Sequence, residues 1–155
     1  MHKYKRAGAL IFNKNLNKCL MVYQKNSSLW GIPKGSREKN ENNFICMLRE
    51  VKEEVGLDLN QIKFDIIGNT SVFSEALIYI LKIHLDPLPI CSPPLENGND
   101  NHEISQVKWI NTSDVFRMKK NSITRNALNY SKKYFKHKKN NKHKYKKKKE
   151  YKKQV

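Results

Sequence analysis

The chain has 155 residues, with 31 Lys and Arg against 14 Asp and Glu and a formal net charge of +17. That length holds one domain with a core of roughly 130 residues and excludes two full domains. Packing alone does not account for so much charge of one sign, because self-repulsion opposes compactness; it calls for a polyanionic partner such as nucleic acid or an anionic membrane surface.

Residues 7–12 (Ala-Gly-Ala-Leu-Ile-Phe) and 19–23 (Cys-Leu-Met-Val-Tyr) are short apolar runs separated by an Asn/Lys-rich stretch, the pattern of two strands joined by a polar turn. Around 42–57 the period lengthens. Phe44, Leu48, Val51 and Val55 recur at steps of four, three and four, which sets them within about 60° of one another on a helix. Asn42 or Asn43 caps its start and Gly56 ends it. Two more strands are expected between 62 and 85. In the second, Leu77, Tyr79, Leu81 and Ile83 alternate with Ala76, Ile78 and Ile80, so both faces are apolar and the strand belongs in the middle of the sheet.

Residues 86–103 hold Pro87, Pro89, Pro93, Pro94 and Gly98 and read as a long loop, a kind that is usually functional. A strand over about 104–110 carries Trp109. The last helix starts near Ser122, with Ile123, Ala127, Tyr130 and Tyr134 as its apolar stripe and Arg125, Lys132 and Lys136 on the opposite side. Beyond residue 136 almost nothing can be buried, so ordering entropy goes uncompensated. The expected organisation is a domain over 1–136 and a disordered Lys-rich tail over 137–155. Residues 131–155 hold 13 Lys against one Glu, which leaves 18 basic and 13 acidic residues, a net of +5, for residues 1–130.

Cys19, Cys46 and Cys91 form an odd set without a CxxC pair or zinc spacing, and no apolar signal segment follows Met1, so a reducing, intracellular location is expected. A cytoplasmic place fits, with a nuclear one open through the Lys-rich tail. The longest purely apolar stretch, Ala76 to Leu81, falls far short of the roughly 20 residues that span a bilayer, so no membrane span is expected.

The segment Gly35 to Leu57 carries the chemistry. Its fixed points are Gly35, Glu41, Arg49, Glu50, Val51, Glu53, Glu54, Gly56 and Leu57, with the spacing G-x5-E-x7-R-E-U-x-E-E-x-G-U, where U is aliphatic. On the helix, Glu50, Glu53 and Glu54 are related by three and four residues, so their carboxylates are expected to crowd together on a side roughly opposite the apolar stripe. Such a cluster held against the body of a domain needs a cation, and hard oxygen donors suit Mg²⁺ or Mn²⁺. Taken alone, an E-x-x-E-E run is more often a solvated acidic face, with Arg49 and Lys52 as its partners; the flanking residues tip the balance.

Those flanks reproduce the signature of the Nudix hydrolases, with every specified position filled over 23 residues, and the chain is identified on it as a member of that family. The resemblance implies an α/β fold, a mixed β-sheet sandwiched between α-helices. It implies that Glu50 and Glu54 ligate divalent metal directly and that Glu53 ligates or holds a metal-bound water. The Gly35 carbonyl would add a ligand, and Arg49 and Glu41 would support the carboxylates. Metal ions then neutralise phosphate oxygens and activate a water, and a carboxylate takes its proton. The family draws that base either from the helix, from Glu53 or Glu54, or from a loop outside it. Glu103, in His-Glu-Ile, is the outside candidate and a further metal ligand; its other reading is a loop surface charge.

Leu29-Trp30-Gly31-Ile32-Pro33-Lys34-Gly35 precedes the box, and this Trp-x-x-Pro-Lys-Gly form resembles mRNA-decapping Nudix enzymes and, less closely, dinucleoside-polyphosphate and inositol-pyrophosphate hydrolases. Lys34 is the substrate-binding residue within it, whereas Trp30 reads as packing. Ala7-Gly8-Ala9, the run Arg49 to Gly56, and Glu103-Ile104 followed by Val107-Lys108-Trp109 extend the likeness. Decapping enzymes of this kind carry a basic helix after the core that grips RNA, the place taken here by Arg125, Lys132 and Lys136; an ordinary solvated face is the other reading. The tail adds non-specific phosphate contacts, with Tyr130, Tyr134, Tyr145 and Tyr151 available for stacking.

The expected reaction is thus hydrolysis of capped RNA to 7-methylguanosine diphosphate and 5′-monophosphate RNA. A small-molecule Nudix hydrolase acting on dinucleoside polyphosphates or inositol pyrophosphates is the alternative, and a non-catalytic RNA-binding Nudix module a third. With strand one starting near residue 7, no N-terminal helical regulatory domain is expected. A compact single domain of this sort resembles the decapping enzymes of large DNA viruses.

Overall fold

The computed structural model describes the backbone of residues 3–95 and 103–151, and the side chains of those residues as far as 136. The two apolar runs near the start form β1 (Arg6–Phe12) and β2 (Lys18–Gln24), and the segment before the box forms two short strands, β3 (Leu29–Gly31) and β4 (Lys34–Ser36). Helix α1 (Asn43–Val55) follows, then a 3-10 turn at Leu59–Gln61, β5 (Phe64–Val72), β6 (Ala76–Ile83), β7 (Ile104–Asn111), a one-turn α2 (Thr112–Val115) and α3 (Ser122–Tyr151).

The seven strands make one mixed sheet, with β3-β2-β1-β6-β5 as its main path, β4 pairing with β1 and β7 with β2. Parallel pairing of β1 with β6, from Arg6 opposite Ala76 to Phe12 opposite Lys82, is the central joint. Antiparallel β4 sets Ser36 opposite Arg6 and Lys34 opposite Gly8. β7 runs antiparallel to β2, with Ile104 opposite Gln24. The starts of β1 and β6, the ends of β2 and β4, and the start of β7 therefore gather at one end of the sheet.

Strand alternation feeds two cores. Ala7, Ala9 and Ile11 of β1 join Leu81 and Ile83 of β6 against Cys46, Met47, Val51 and Val55 of α1. Leu10 and Phe12 join Ile78 and Ile80 against Ile123, Ala127 and Leu128 of α3. Helices α1 and α3 thus cover opposite faces, and β6, apolar on both sides, lies between β1 and β5 as its pattern requires.

Helix α1 starts where the Asn42 side chain accepts a hydrogen bond from Ile45 N at 2.8 Å. It stops at Gly56, whose φ of +73° suits glycine. Its buried face is Cys46, Met47, Glu50, Val51, Glu54 and Val55. Phe44 and Leu48 are only partly buried. This corrects the expected geometry of the acidic trio. At 100° per residue Glu50 and Glu54 lie within the buried face, between Cys46 and Met47, where β4 covers them, and only Glu53 points away.

Residues 96–102 lie outside the described residues, so the long-loop reading is met only over its first part. There Leu85, Leu88 and Cys91 pack against the α1-side core, and the Trp109 indole N–H donates to Pro89 O at 3.0 Å. That part of the loop is held by packing. Trp30 also packs, edge to face on Tyr23 with ring centroids 5.2 Å apart. The α3 backbone runs on past residue 137, where the sequence reading starts a disordered tail, to Tyr151. The last side chain seen packing on the core is Phe135. Tyr145, Tyr151 and the lysines beyond 136 lie outside the residues whose side chains are described. No helix among the described residues is long and apolar enough to cross a membrane.

Candidate active site

A polar cleft of about 440 Å³ opens at that gathered end of the sheet, lined by Arg6, Gln24, Lys34, Gly35, Ser36, Glu50, Glu53, Glu54 and Glu103. It brings together Lys34, Gly35, the three helix carboxylates and the loop carboxylate that the sequence singled out.

Arg49 organises the acidic side of the cleft. Its guanidinium donates to both oxygens of Glu41, from Nε at 2.8 Å and Nη2 at 3.0 Å. Nη1 donates to Glu50 Oε1 at 2.7 Å and to Glu53 Oε2 at 3.0 Å, and Nη2 donates to Ser36 O at 2.9 Å. One planar cation thus ties the loop after β4 to successive turns of α1, a task suited to the fork of arginine. The Arg49 hydrogen bond holds Glu41 down to about 2, and Glu41 with its neighbours raises Arg49 above its ordinary value.

Glu50 and Glu54 are buried, at 8% and 7% exposure, whereas the Glu53 side chain is 57% exposed. Burial pushes Glu54 up to about 8, against the opposing pull of the Lys34 backbone N–H and ammonium. Burial also raises Glu50, with the Arg49 hydrogen bond opposing it. The Lys34 backbone N–H donates to Glu54 Oε2 at 3.1 Å. Burial lowers the Lys34 ammonium, and the Glu54 charge counters that. A buried carboxylate reluctant to ionise beside a cation that burial also disfavours marks a site that gains from a further ligand.

A hard divalent cation fits the chemistry of this donor set, which is carboxylate oxygen with little competing nitrogen or sulfur. Among the described residues, however, no three Asp, Glu, His or Cys side chains converge as a finished cage. Arg49 supplies the positive charge that holds Glu50 and Glu53, and the Gly35 carbonyl accepts from the Cys46 thiol at 3.7 Å. Glu103 is exposed and shares the cleft with Glu54, whose ionisation it opposes.

The structure does not bring Arg125, Lys132 and Lys136 to the cleft. All three are exposed on α3, which covers the other face of the sheet from α1. Arg125 Nη2 donates to Lys120 O at 3.5 Å, and the Lys132 ammonium lies 5.2 Å from the Phe116 ring centroid. Sequence reasoning missed Arg6, Gln24 and Ser36. Arg6 carried a signal, a cation heading the Ala-Gly-Ala strand, but only the β1–β4 pairing makes it a neighbour of the box. Gln24 carried none; its side-chain carbonyl accepts from Asn121 Nδ2 at 3.2 Å, which links the cleft to the start of α3.

The NUDIX domain profile matches residues 2–130. The chain belongs to the Nudix family. The chain is 49% identical over 61 residues to the m7GpppN-mRNA hydrolase of Saccharomyces cerevisiae, covering 37% of this chain and 6% of that protein. It is 32% identical over 116 residues to the mRNA decapping complex subunit 2 of Schizosaccharomyces pombe, covering 74% and 15%. It is 31% identical over 124 residues to the mRNA-decapping protein g5R of African swine fever virus, covering 71% and 50%. This Nudix chain thus spans at most half the length of these relatives. Among solved structures it is similar to the Caenorhabditis elegans Ap4A hydrolase, with TM-score 0.63 and 16% identity over 86% of this chain and 98% of that one. The NUDIX domain of Shewanella oneidensis NrtR, complexed with ADP ribose, gives TM-score 0.61 and 16% identity over 87% and 90%. At these identities the likeness is one of fold. Nudix hydrolases as a class use divalent cations, in keeping with the donor set above.

Proposed function

We propose that this Nudix protein is a pyrophosphohydrolase that acts on capped RNA and releases 7-methylguanosine diphosphate and 5′-monophosphate RNA. The observation that carries the reaction class is the cleft itself, where buried Glu50 and Glu54 share one wall-to-wall space with Lys34 and Glu103. The choice of substrate is supported by the decapping proteins among its relatives.

In this reading Glu50, Glu53, Glu54 and Glu103, with the Gly35 carbonyl, would hold Mg²⁺ or Mn²⁺, which would neutralise phosphate oxygens and make the attacking water more acidic. Arg49 keeps the helix carboxylates aimed into the cleft, and Lys34 meets the phosphate oxygens with its ammonium. Glu103 takes the proton of the attacking water. The water oxygen bonds to phosphorus as one bridging P–O bond breaks, and the electron pair leaves with the departing phosphate. Arg125, Lys132 and Lys136, with the Lys-rich tail, contact the RNA body through its phosphates. No box carboxylate is missing, which speaks against a purely RNA-binding module.

Capped RNA labelled in the cap, free cap dinucleotide, diadenosine tetraphosphate and an inositol pyrophosphate, assayed side by side with Mg²⁺ and Mn²⁺, test the proposal. Release of 7-methylguanosine diphosphate from capped RNA, with a preference for long RNA, is expected. Preference for free cap dinucleotide, diadenosine tetraphosphate or the inositol pyrophosphate overturns it.

A further inference from the structure

The β5–β6 hairpin turns through Phe73, Ser74 and Glu75, with Glu75 N donating to Val72 O at 3.1 Å across the two central residues Phe73 and Ser74. Both turn residues lie in the left-handed region, Phe73 at φ +52° and Ser74 at φ +55°. Turns with both central residues at positive φ favour Asn and Gly, because a Cβ is disfavoured there. Here an aromatic residue occupies the first position, and packing does not reward it: Phe73 is 63% exposed. Strain held without burial directs attention to what the side chain does when something arrives.

The hairpin lies beside the cleft. Because β1 and β6 run parallel with Arg6 opposite Ala76, the tip stands at the same end of the sheet as the site. The Glu75 carbonyl accepts from Lys5 N at 2.9 Å and Arg6 N at 3.2 Å. Arg6 Nε is 3.7 Å from the Glu75 carboxylate, and Arg6 itself lines the cleft. Lys3 and Lys5 are exposed on the segment that leads into β1, and Tyr4 is hydrogen-bonded to the Ser71 side chain on the strand leading into the turn. Glu103 and Gln24 therefore stand on one side of the cleft, and the Phe73 turn stands one strand beyond Arg6 on the other.

We propose that Phe73 is the stacking platform for a nucleobase of the substrate, set at the rim of the cleft by the strained β5–β6 turn with Arg6 between it and the reacting phosphates. The inference rests on the hydrolase reading for the identity of the substrate. An exposed ring beside cations suits a planar base joined to phosphates, because stacking needs only a π-face and the cations meet the backbone. A substrate without a base gains nothing from it, so this rim separates nucleotides from inositol pyrophosphates.

Equilibrium titration tests it without turnover. Guanosine diphosphate, 7-methylguanosine diphosphate and inorganic pyrophosphate are titrated with Mg²⁺ into the full chain and into Phe73→Asn and Phe73→Trp. Asn suits the turn, so Phe73→Asn folds and melts at the same temperature or higher. It is expected to bind one or both nucleoside diphosphates roughly tenfold more weakly, equivalent to about 1.4 kcal/mol, with pyrophosphate affinity unchanged. Phe73→Trp is expected to keep the affinity and to show fluorescence quenching on nucleotide binding. Equal loss for pyrophosphate, no loss for either nucleotide, or a change only in self-association of the chain overturns the assignment. If the wild type cleaves no capped RNA while the nucleotide-specific loss is seen, the decapping reading fails and the stacking site stands.

Discussion

Gly35 lies so close to Glu50 that a Cβ built on it overlaps the Glu50 carboxylate carbon and both of its oxygens. The hydrogen at this position is what lets the helix carboxylate reach the loop that precedes it. Glycine is needed there for close approach, since no left-handed φ accompanies it.

Gly35→Ala follows directly. The backbone accommodates alanine, and the Glu50 side chain, being flexible at its far end, swings aside. The expected outcome is a melting temperature within a few degrees of the wild type and a kcat lower by about 10²-fold, the scale of a misplacement near 1 Å. Thermal melts and initial rates on capped RNA check it, and an unchanged kcat would remove Glu50 from the proposed machinery.

Glu54 gives a pH-dependent stability with a definite sign. Its folded value of about 8 lies above the ordinary 4.5, so between those values the folded chain holds a proton that the unfolded chain has lost. Stability of the metal-free protein therefore falls as pH rises through this window. Glu54→Gln lacks that ionisation. In EDTA it should melt close to the wild type at pH 4 and above it at pH 8.5 by roughly 2–6 °C, while turnover with metal is abolished. A wild type whose metal-free melting temperature rises from pH 5 to 8.5 relative to Glu54→Gln contradicts the assignment.

What the sequence disclosed and what it hid divide along one physical line. Local rules found β1, β2, β5, β6, β7, α1 and the start of α3, because each has its own period and its own caps, such as Asn42 and Gly56. They also picked out the three α1 carboxylates that line the cleft, Glu50, Glu53 and Glu54, whose spacing lies within one helix. They did not find β3 and β4, three residues each, which exist only because β1 and β2 offer edges to pair with. Nor did they give the inequality within the acidic trio, since β4 buries Glu50 and Glu54 while Glu53 stays exposed. Arg6 and Glu75 belong to the same class: the parallel β1–β6 pairing is what brings these residues, far apart in the chain, together.

Arg49→Lys tests the hub. A single ammonium cannot make the fork to Glu41 while also reaching Ser36 O, Glu50 and Glu53, so the loop after β4 loses its tie to α1. Destabilisation of about 2 kcal/mol is expected, in the range for hydrogen bonds to charged groups. Glu41, freed from its partner, should titrate closer to an ordinary carboxylate than its present value of about 2. Chemical denaturation and NMR titration of the Glu41 side chain measure both; an unshifted Glu41 would show that the guanidinium is not what holds it.

The α3 surface gives a prediction that depends on RNA length. Arg125 and Lys132 are exposed on the helix that covers the sheet face away from α1, and neither lines the cleft. If they hold RNA, they hold it by its phosphates, and that attraction scales with counterion release. Charge reversal in Arg125→Glu/Lys132→Glu should lower kcat/KM on capped RNA by an amount that grows with RNA length. The slope of log affinity against log salt should shrink by about one for each phosphate that the variant no longer neutralises. Rates on capped RNAs of increasing length at two salt concentrations measure both quantities. A loss that is the same at every length would mean that the substitutions act through the fold, and an unchanged salt slope would leave this face as plain solvated surface.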